Sequence, residues 1–157
     1  MTTMVGTQSE YLNALKALLE LEYDALEAYE AALNRLEDPS YKKQIKNFRN
    51  DHRRHVANLT NLLLKHDQTP PTGPTIKSFM TQGKVIIGNL INDDAILRAM
   101  ASNEEDSNTA YSRLCQYASI PDDELAILEQ AYNDEKLHKE WITETLNIQS
   151  EQMRHFG

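Results

Sequence analysis

Residues 125–142 read LAILEQAYNDEKLHKEWI. Leu125, Leu128, Tyr132, Glu135, His138 and Ile142 recur at alternating steps of three and four, the period of a helix that buries one stripe. Glu135 and His138 fall on that stripe, where an ionisable side chain is costly unless its charge is compensated. Three residues apart on a helix, they lie on nearly one face and aim a carboxylate and an imidazole at the same point.

The same beat runs through the rest of the chain. Tyr41, Ile45, Phe48, His52, His55, Leu59 and Leu62 form a second seam, with His52-x-x-His55 at the place of Glu135-x-x-His138. Leu97, Met100, Glu104, Ser107 or Asn108, Tyr111 and Leu114 form a third. Leu12, Leu15, Leu19, Leu26, Tyr29, Leu33 and Leu36 form a fourth, interrupted by Glu22. Glu22 and Glu104 are 82 residues apart, as are Pro39 and Pro121, and His55 and His138 are 83 apart. Tyr29 and Tyr111 each follow their Glu by seven residues. The halves read as an internal repeat.

Turn signals divide the seams. Asp38-Pro39-Ser40 supplies a short turn with a new cap, Asn92-Asp93-Asp94 caps the third helix, and Pro121-Asp122-Asp123 opens the fourth. Between the halves, His66 to Thr75 holds Pro70, Pro71, Gly73 and Pro74 and reads as a linker. Ile76 to Leu90 carries a weak amphipathic segment whose helicity Gly83 and Gly88 oppose. The pattern predicts an all-α fold: an antiparallel four-helix bundle with helices near 9–37, 41–66, 92–118 and 122–148. Residues 67–91 form one long crossover between helices two and three. We expect a single domain over 1–157, built from two helical-hairpin repeats of about 9–66 and 92–148.

Composition narrows the function. The net charge of −8 and the lack of a basic tail argue against nucleic acid as partner. Cys115 is the single cysteine, which leaves no disulfide framework and no Cys-x-x-Cys pair. No apolar run approaches a membrane span and the N-terminus lacks a signal-peptide core, so a cytoplasmic protein is expected.

Glu22-x-x-Ala25 with Tyr29, Glu104 with Tyr111, and Glu135-x-x-His138 resemble the ferritin-like superfamily, nearest its rubrerythrin-type di-iron carboxylate members. The likeness runs from about Ser9 to Leu146 and extends to small uncharacterised bacterial ferritin-like proteins, some linked to stress. The resemblance implies two divalent metal ions, iron foremost with manganese or zinc as alternatives. It makes Glu22 and Glu104 terminal carboxylates, His55 and His138 nitrogen ligands and Glu135 a bridge. His52 departs from the pattern by standing where a second bridging Glu belongs. Three carboxylates leave two divalent ions with one surplus positive charge, and we expect His52 at the edge of the site. Asp51, turned about 100° away on the helix, is a poor substitute ligand.

Other residues have plainer readings. Tyr29, Tyr111 and Tyr132 are expected as core residues, and Tyr23, Glu105, Glu27 and Glu30 as surface. Arg53 and Arg54 mark a charged helix face. His66 and His155 read as solvated, Cys115 as a small buried apolar residue, and Trp141 as a packing or interface residue. Three functions remain open. A dinuclear protein reacting with dioxygen or peroxide, an oxidoreductase with an external electron donor, leads. A non-catalytic stress-associated bundle, in which His52 and His55 neutralise Glu22 or hold metal only structurally, is the alternative. An iron-storage cage ranks last. We expect a homodimer and no membrane partner.

Overall fold

A computed structural model describes residues 3–74 and 87–156, the side chains of 149–153, 155 and 156 excepted. Most of the expected segment at 76–90, and the His155 ring, lie outside the described residues. Four long helices carry the described chain: α1 (Tyr11–Arg35), α2 (Pro39–Lys65), α3 (Asp93–Leu114) and α4 (Asp122–Phe156). Residues 87–89 add a helical turn, and no strand occurs among the described residues.

The helix ends follow local chemistry. Asp38 caps α2, its carboxylate accepting from the backbone N–H of Ser40 at 2.8 Å and of Tyr41 at 3.4 Å, with Pro39 in the first turn. Asn92 caps α3 through the Ala95 N–H at 2.8 Å. Asp93 accepts from the backbone N–H groups of Glu37 and Asp38, both at 2.9 Å, and so fastens the α1–α2 turn to the start of α3. Two ends differ from expectation. α3 stops at Leu114 rather than near 118. α4 continues to Phe156 rather than 148, since no Gly or Pro interrupts 122–156.

Cross-helix contacts give the relative directions. Between α1 and α2, Glu30 meets Arg49 and Glu22 meets His55; between α3 and α4, Asn108 meets Glu135 and Glu104 meets His138. Tyr29 reaches Glu104, and Tyr11 lies against Tyr117 just past the end of α3, which sets α1 against α3. Lys65 pairs with Asp123 and Tyr41 packs on Trp141, which sets α2 against α4. In each pair higher numbers on one helix meet lower numbers on the other, so these neighbours run antiparallel. α2 and α4 touch least.

The core lies between the four helices. On α2 the seam is buried from Ile45 to Leu62, only Tyr41 being partly covered. On α1 the stripe is shifted. Ala14, Leu18, Ala25, Ala28 and Ala32 are buried with Leu15 and Leu19, whereas Leu12, Leu26 and Leu33 are half-buried. Small alanines let the helices approach closely and push the larger leucines to the flank. On α4, Leu125 and Tyr132 are likewise half-buried while Leu128 and Ala131 are buried. The segment before α1 is held on α3, with Arg113 donating to the carbonyls of Thr3 at 2.7 Å and Val5 at 3.1 Å. Gly6 is required there: its φ is +90°, and a β-carbon would strike the Arg113 side chain. No described helix is long and apolar enough to cross a membrane.

Candidate metal centre

The seams of all four helices bring their ionisable residues to one buried place. Glu22 on α1, His52 and His55 on α2, Glu104 on α3 and Glu135 and His138 on α4 are each at most 1 % exposed. They form two groups of four that could hold a metal ion: Glu22, His52, His55 and Glu135, and His52, Glu104, Glu135 and His138. His52 and Glu135 belong to both.

In the first group His55 Nδ1 lies 3.5 Å from Glu22 Oε1 and 3.3 Å from Glu135 Oε1, and His52 Nδ1 lies 3.5 Å from Glu135 Oε1. In the second, His138 Nδ1 lies 3.5 Å from Glu104 Oε1 and 3.4 Å from Glu135 Oε2, and His52 Nε2 lies 3.2 Å from Glu104 Oε1. Glu135 thus turns one oxygen to each group. Most donors stand too far apart for good hydrogen bonds and close enough to share a cation at about 2.0–2.2 Å. Glu104 Oε2, both Glu135 oxygens, His55 Nδ1 and His138 Nδ1 are buried without a hydrogen-bond partner. Buried polar atoms are seldom left so. This donor set could therefore hold metal ions.

His52 does not sit at the edge. Its ring is wholly buried at the centre, with Nδ1 2.7 Å from Glu22 Oε2 and Nε2 facing Glu104. The expectation of an edge position treats the ring as a stand-in for a missing bridging carboxylate. The imidazole instead reaches as deep as the Glu side chains across from it. Both ring nitrogens face carboxylates, so a ring that carries both protons donates to two acids and offsets one negative charge. Its charge is held well above the ordinary histidine range. Burial opposes this, and the Glu135 and Glu22 charges outweigh burial.

Asp51 belongs to neither group. Its Oδ2 accepts from His138 Nε2 at 2.8 Å, on the outer side of that ring. Asp134 accepts from His55 Nε2 at 2.9 Å in the same way, so α2 and α4 each hold the other's histidine. A carboxylate on Nε2 places the proton there and leaves Nδ1 turned inward, the tautomer a metal ligand needs. Arg54 donates to both Asp51 and Asp134, binding the outer pair together. The sequence did carry a signal for Asp134: Asp51 and Asp134 are 83 residues apart, the spacing of His55 and His138.

The charges are interlocked. Burial works against the charged forms of His55 and His138, but the Glu22 charge lifts His55 to about 10 and the bond to Asp51 lifts His138 to about 11. Burial would raise Glu22, yet His52 and His55 hold it below the ordinary carboxylate range. Glu104 is also held low against burial, by the closeness of Glu135, His138 and His52. Glu135, lacking a partner of its own, is pushed up to about 7 by burial and by the Glu104 charge. Two buried tyrosines lie against the site, Tyr29 beside His52 and Tyr111 beside His55. Tyr29 donates to Glu104, while the buried Tyr111 hydroxyl has no hydrogen-bond partner.

Between α2 and α4 a pocket of about 340 Å³ opens toward the site, lined in part by Phe48, Asp51, Asp134, His138 and Trp141. Phe48 stacks on the His138 ring with centroids 4.2 Å apart. Trp141 is half-buried on this wall and Cys115 is half-buried rather than enclosed. His66 is also not free in solvent: its Nε2 lies 2.9 Å from both oxygens of the buried Glu124, which also accepts from Tyr11 at 3.0 Å. That cluster ties the start of α1 and the end of α2 to the start of α4. Glu124, one residue before the expected seam at Leu125, was not legible as buried.

A crystal structure of a conserved hypothetical protein from Mycobacterium tuberculosis is similar in fold, with a TM-score of 0.71 at 16 % identity, over 88 % of this chain and 99 % of that one. A search of curated proteins finds no match. Residues 10–116, which include α1, α2 and α3, match a family described as a domain of unknown function, DUF2383. The match spans more than half of the chain, and the protein belongs to that family.

Proposed function

We propose that the chain is a single ferritin-like domain, an antiparallel four-helix bundle with one long crossover, that holds two divalent ions and reacts with dioxygen or peroxide. Iron is the first choice of ion, with manganese or zinc as alternatives. The observation that carries this reading is the set of buried, unpartnered donor atoms on Glu104, Glu135, His55 and His138, arranged as two groups of four. Leaving such atoms unsatisfied costs about 1–3 kcal/mol each, and a cation pair would satisfy all of them. When bound, two iron or manganese ions would supply a place for dioxygen or peroxide and a means of passing two electrons, whereas zinc, which has no redox chemistry, would serve only a structural role. The protein's part is to fix the ligands. Asp51 and Asp134 set the histidine tautomers, Tyr29 orients Glu104, and the packed seams exclude bulk water. Turnover then draws on an external electron donor, and we place the protein in the cytoplasm as a homodimer.

A second reading is a non-catalytic, stress-associated bundle with a structural or degenerate site. The contact between His52 and Glu22 favours it, because a protonated ring there compensates buried acids without metal. Metal analysis of protein purified without added metal separates the two. About two ions per chain, and peroxide consumption with a reductant present, are expected. Metal-free protein whose melting is unchanged by iron, manganese and zinc would leave the second reading. A binding site should instead add about 2.7 kcal/mol at a hundred times its dissociation constant. Asp134→Asn is expected to weaken metal binding by about 10–100-fold, measured by chelator competition, since it releases His55 from its tautomer. Affinity equal to the wild type would remove Asp134 from the site.

A further inference from the structure

We infer that His52 is a two-nitrogen bridge between the ions, its Nδ1 serving the position formed with Glu22, His55 and Glu135 and its Nε2 the position formed with Glu104, Glu135 and His138. The inference rests on the reading that these groups hold two divalent ions, and adds which atoms join them.

The distances divide the ring between two positions. Nδ1 lies 2.7 Å from Glu22 Oε2 and 3.5 Å from Glu135 Oε1, whereas Nε2 lies 3.2 Å from Glu104 Oε1. No other side chain of the six splits its donors this way except Glu135, whose Oε1 faces His55 and whose Oε2 faces His138. His52 and Glu135 are the two residues common to both groups. A metal bond length of about 2.0–2.2 Å makes the edge of a tetrahedron of donors about 3.3–3.6 Å, and that of an octahedron about 2.8–3.1 Å. The His55, His138 and Glu135 separations, 3.3 and 3.4 Å, agree with the tetrahedral edge.

Each position is then offered two nitrogens and two oxygens, a set that zinc accepts as well as iron. His55 and His138 cannot bridge, because their Nε2 atoms are committed to Asp134 and Asp51. Of these three rings only His52 has both nitrogens turned inward. As the ions bind, both N–H protons of the ring leave to solvent and a nitrogen lone pair takes the place of each. The ring then does structurally what a second bridging carboxylate would do, and supplies the negative charge that three carboxylates lack.

Zinc is the probe, because it is diamagnetic and suits four donors. Protein labelled with ¹⁵N-histidine is loaded with zinc, its stoichiometry measured, and its ring nitrogens read by NMR. The expected spectrum, at two zinc ions per chain, has one of the five rings with both nitrogens metal-bound and no N–H. Two others, His55 and His138, keep a protonated Nε2. Through-bond correlations in the wild type assign the bridging ring, and His52→Gln should remove it, so the assignment does not depend on the variant folding. Two zinc ions with an N–H on every ring would overturn the bridge and leave the dinuclear reading standing. A wild type that retains no zinc would overturn both.

Discussion

His52→Glu, unfolded in the presence of chelator, should lose about 3–5 kcal/mol of stability, the scale of an uncompensated buried charge. The imidazole lies between Glu22 and Glu104 and close to Glu135, all of them at most 1 % exposed. The substitution removes the cation these acids share and adds a fourth carboxylate. His52→Gln, which removes the charge without adding one, should lose less. Added metal should reverse the order, because four carboxylates neutralise two divalent ions and the glutamate can bridge from the same helical face. Equilibrium denaturation with and without metal, together with metal stoichiometry, checks both signs. A His52→Glu protein as stable as wild type in chelator would show that the acids are not ionised around His52.

The metal-free protein should be most stable in mildly acidic solution, between about pH 4.5 and 6.5, and should weaken on both sides. His55 and His138 rise from 6.5 to about 10 and about 11 in the folded protein. A raised histidine contributes stability that is complete below its unfolded value and is lost as pH rises through the folded one. Glu135, raised from 4.5 to about 7, acts in the same direction, since ionising it in the folded state is opposed by burial and by Glu104. Glu22 and Glu104 are held below 4.5, so their contribution is present above that value and lost as pH falls. Denaturation in chelator from pH 4 to 11 should trace a maximum and a long alkaline decline. Metal should flatten the alkaline limb, because ions replace the histidine protons and bind more tightly as those protons leave. A stability flat from pH 5 to 10 in chelator would remove the imidazolium–carboxylate cluster as a source of stability.

Much of the helical plan was legible because a buried helix face must repeat at its own period. On α2 the positions from Ile45 to Leu62 were read correctly one by one, since large side chains mark that seam without competition. α1 was read less well. Its stripe contains five buried alanines, which carry little hydrophobic signal, while nearby leucines at 12, 26 and 33 took their place in the reading. His66 failed for another reason: its partner Glu124 is 58 residues away, and no local pattern reports so distant a contact.

By itself the sequence determined that Glu22, His52, His55, Glu104, Glu135 and His138 share the buried seams of four helices, because periodicity alone decides which face a residue takes. It also determined that one half of the repeat has His where the other has Glu. Only the tertiary structure decided what these residues do to one another. Whether His52 reaches the centre, which oxygen of Glu135 faces which histidine, and that Asp51 and Asp134 hold the histidines from outside depend on the distance and rotation between packed helices. Those quantities are set by side chains far apart in the chain, such as the alanines that draw α1 inward, and no spacing along a single helix encodes them.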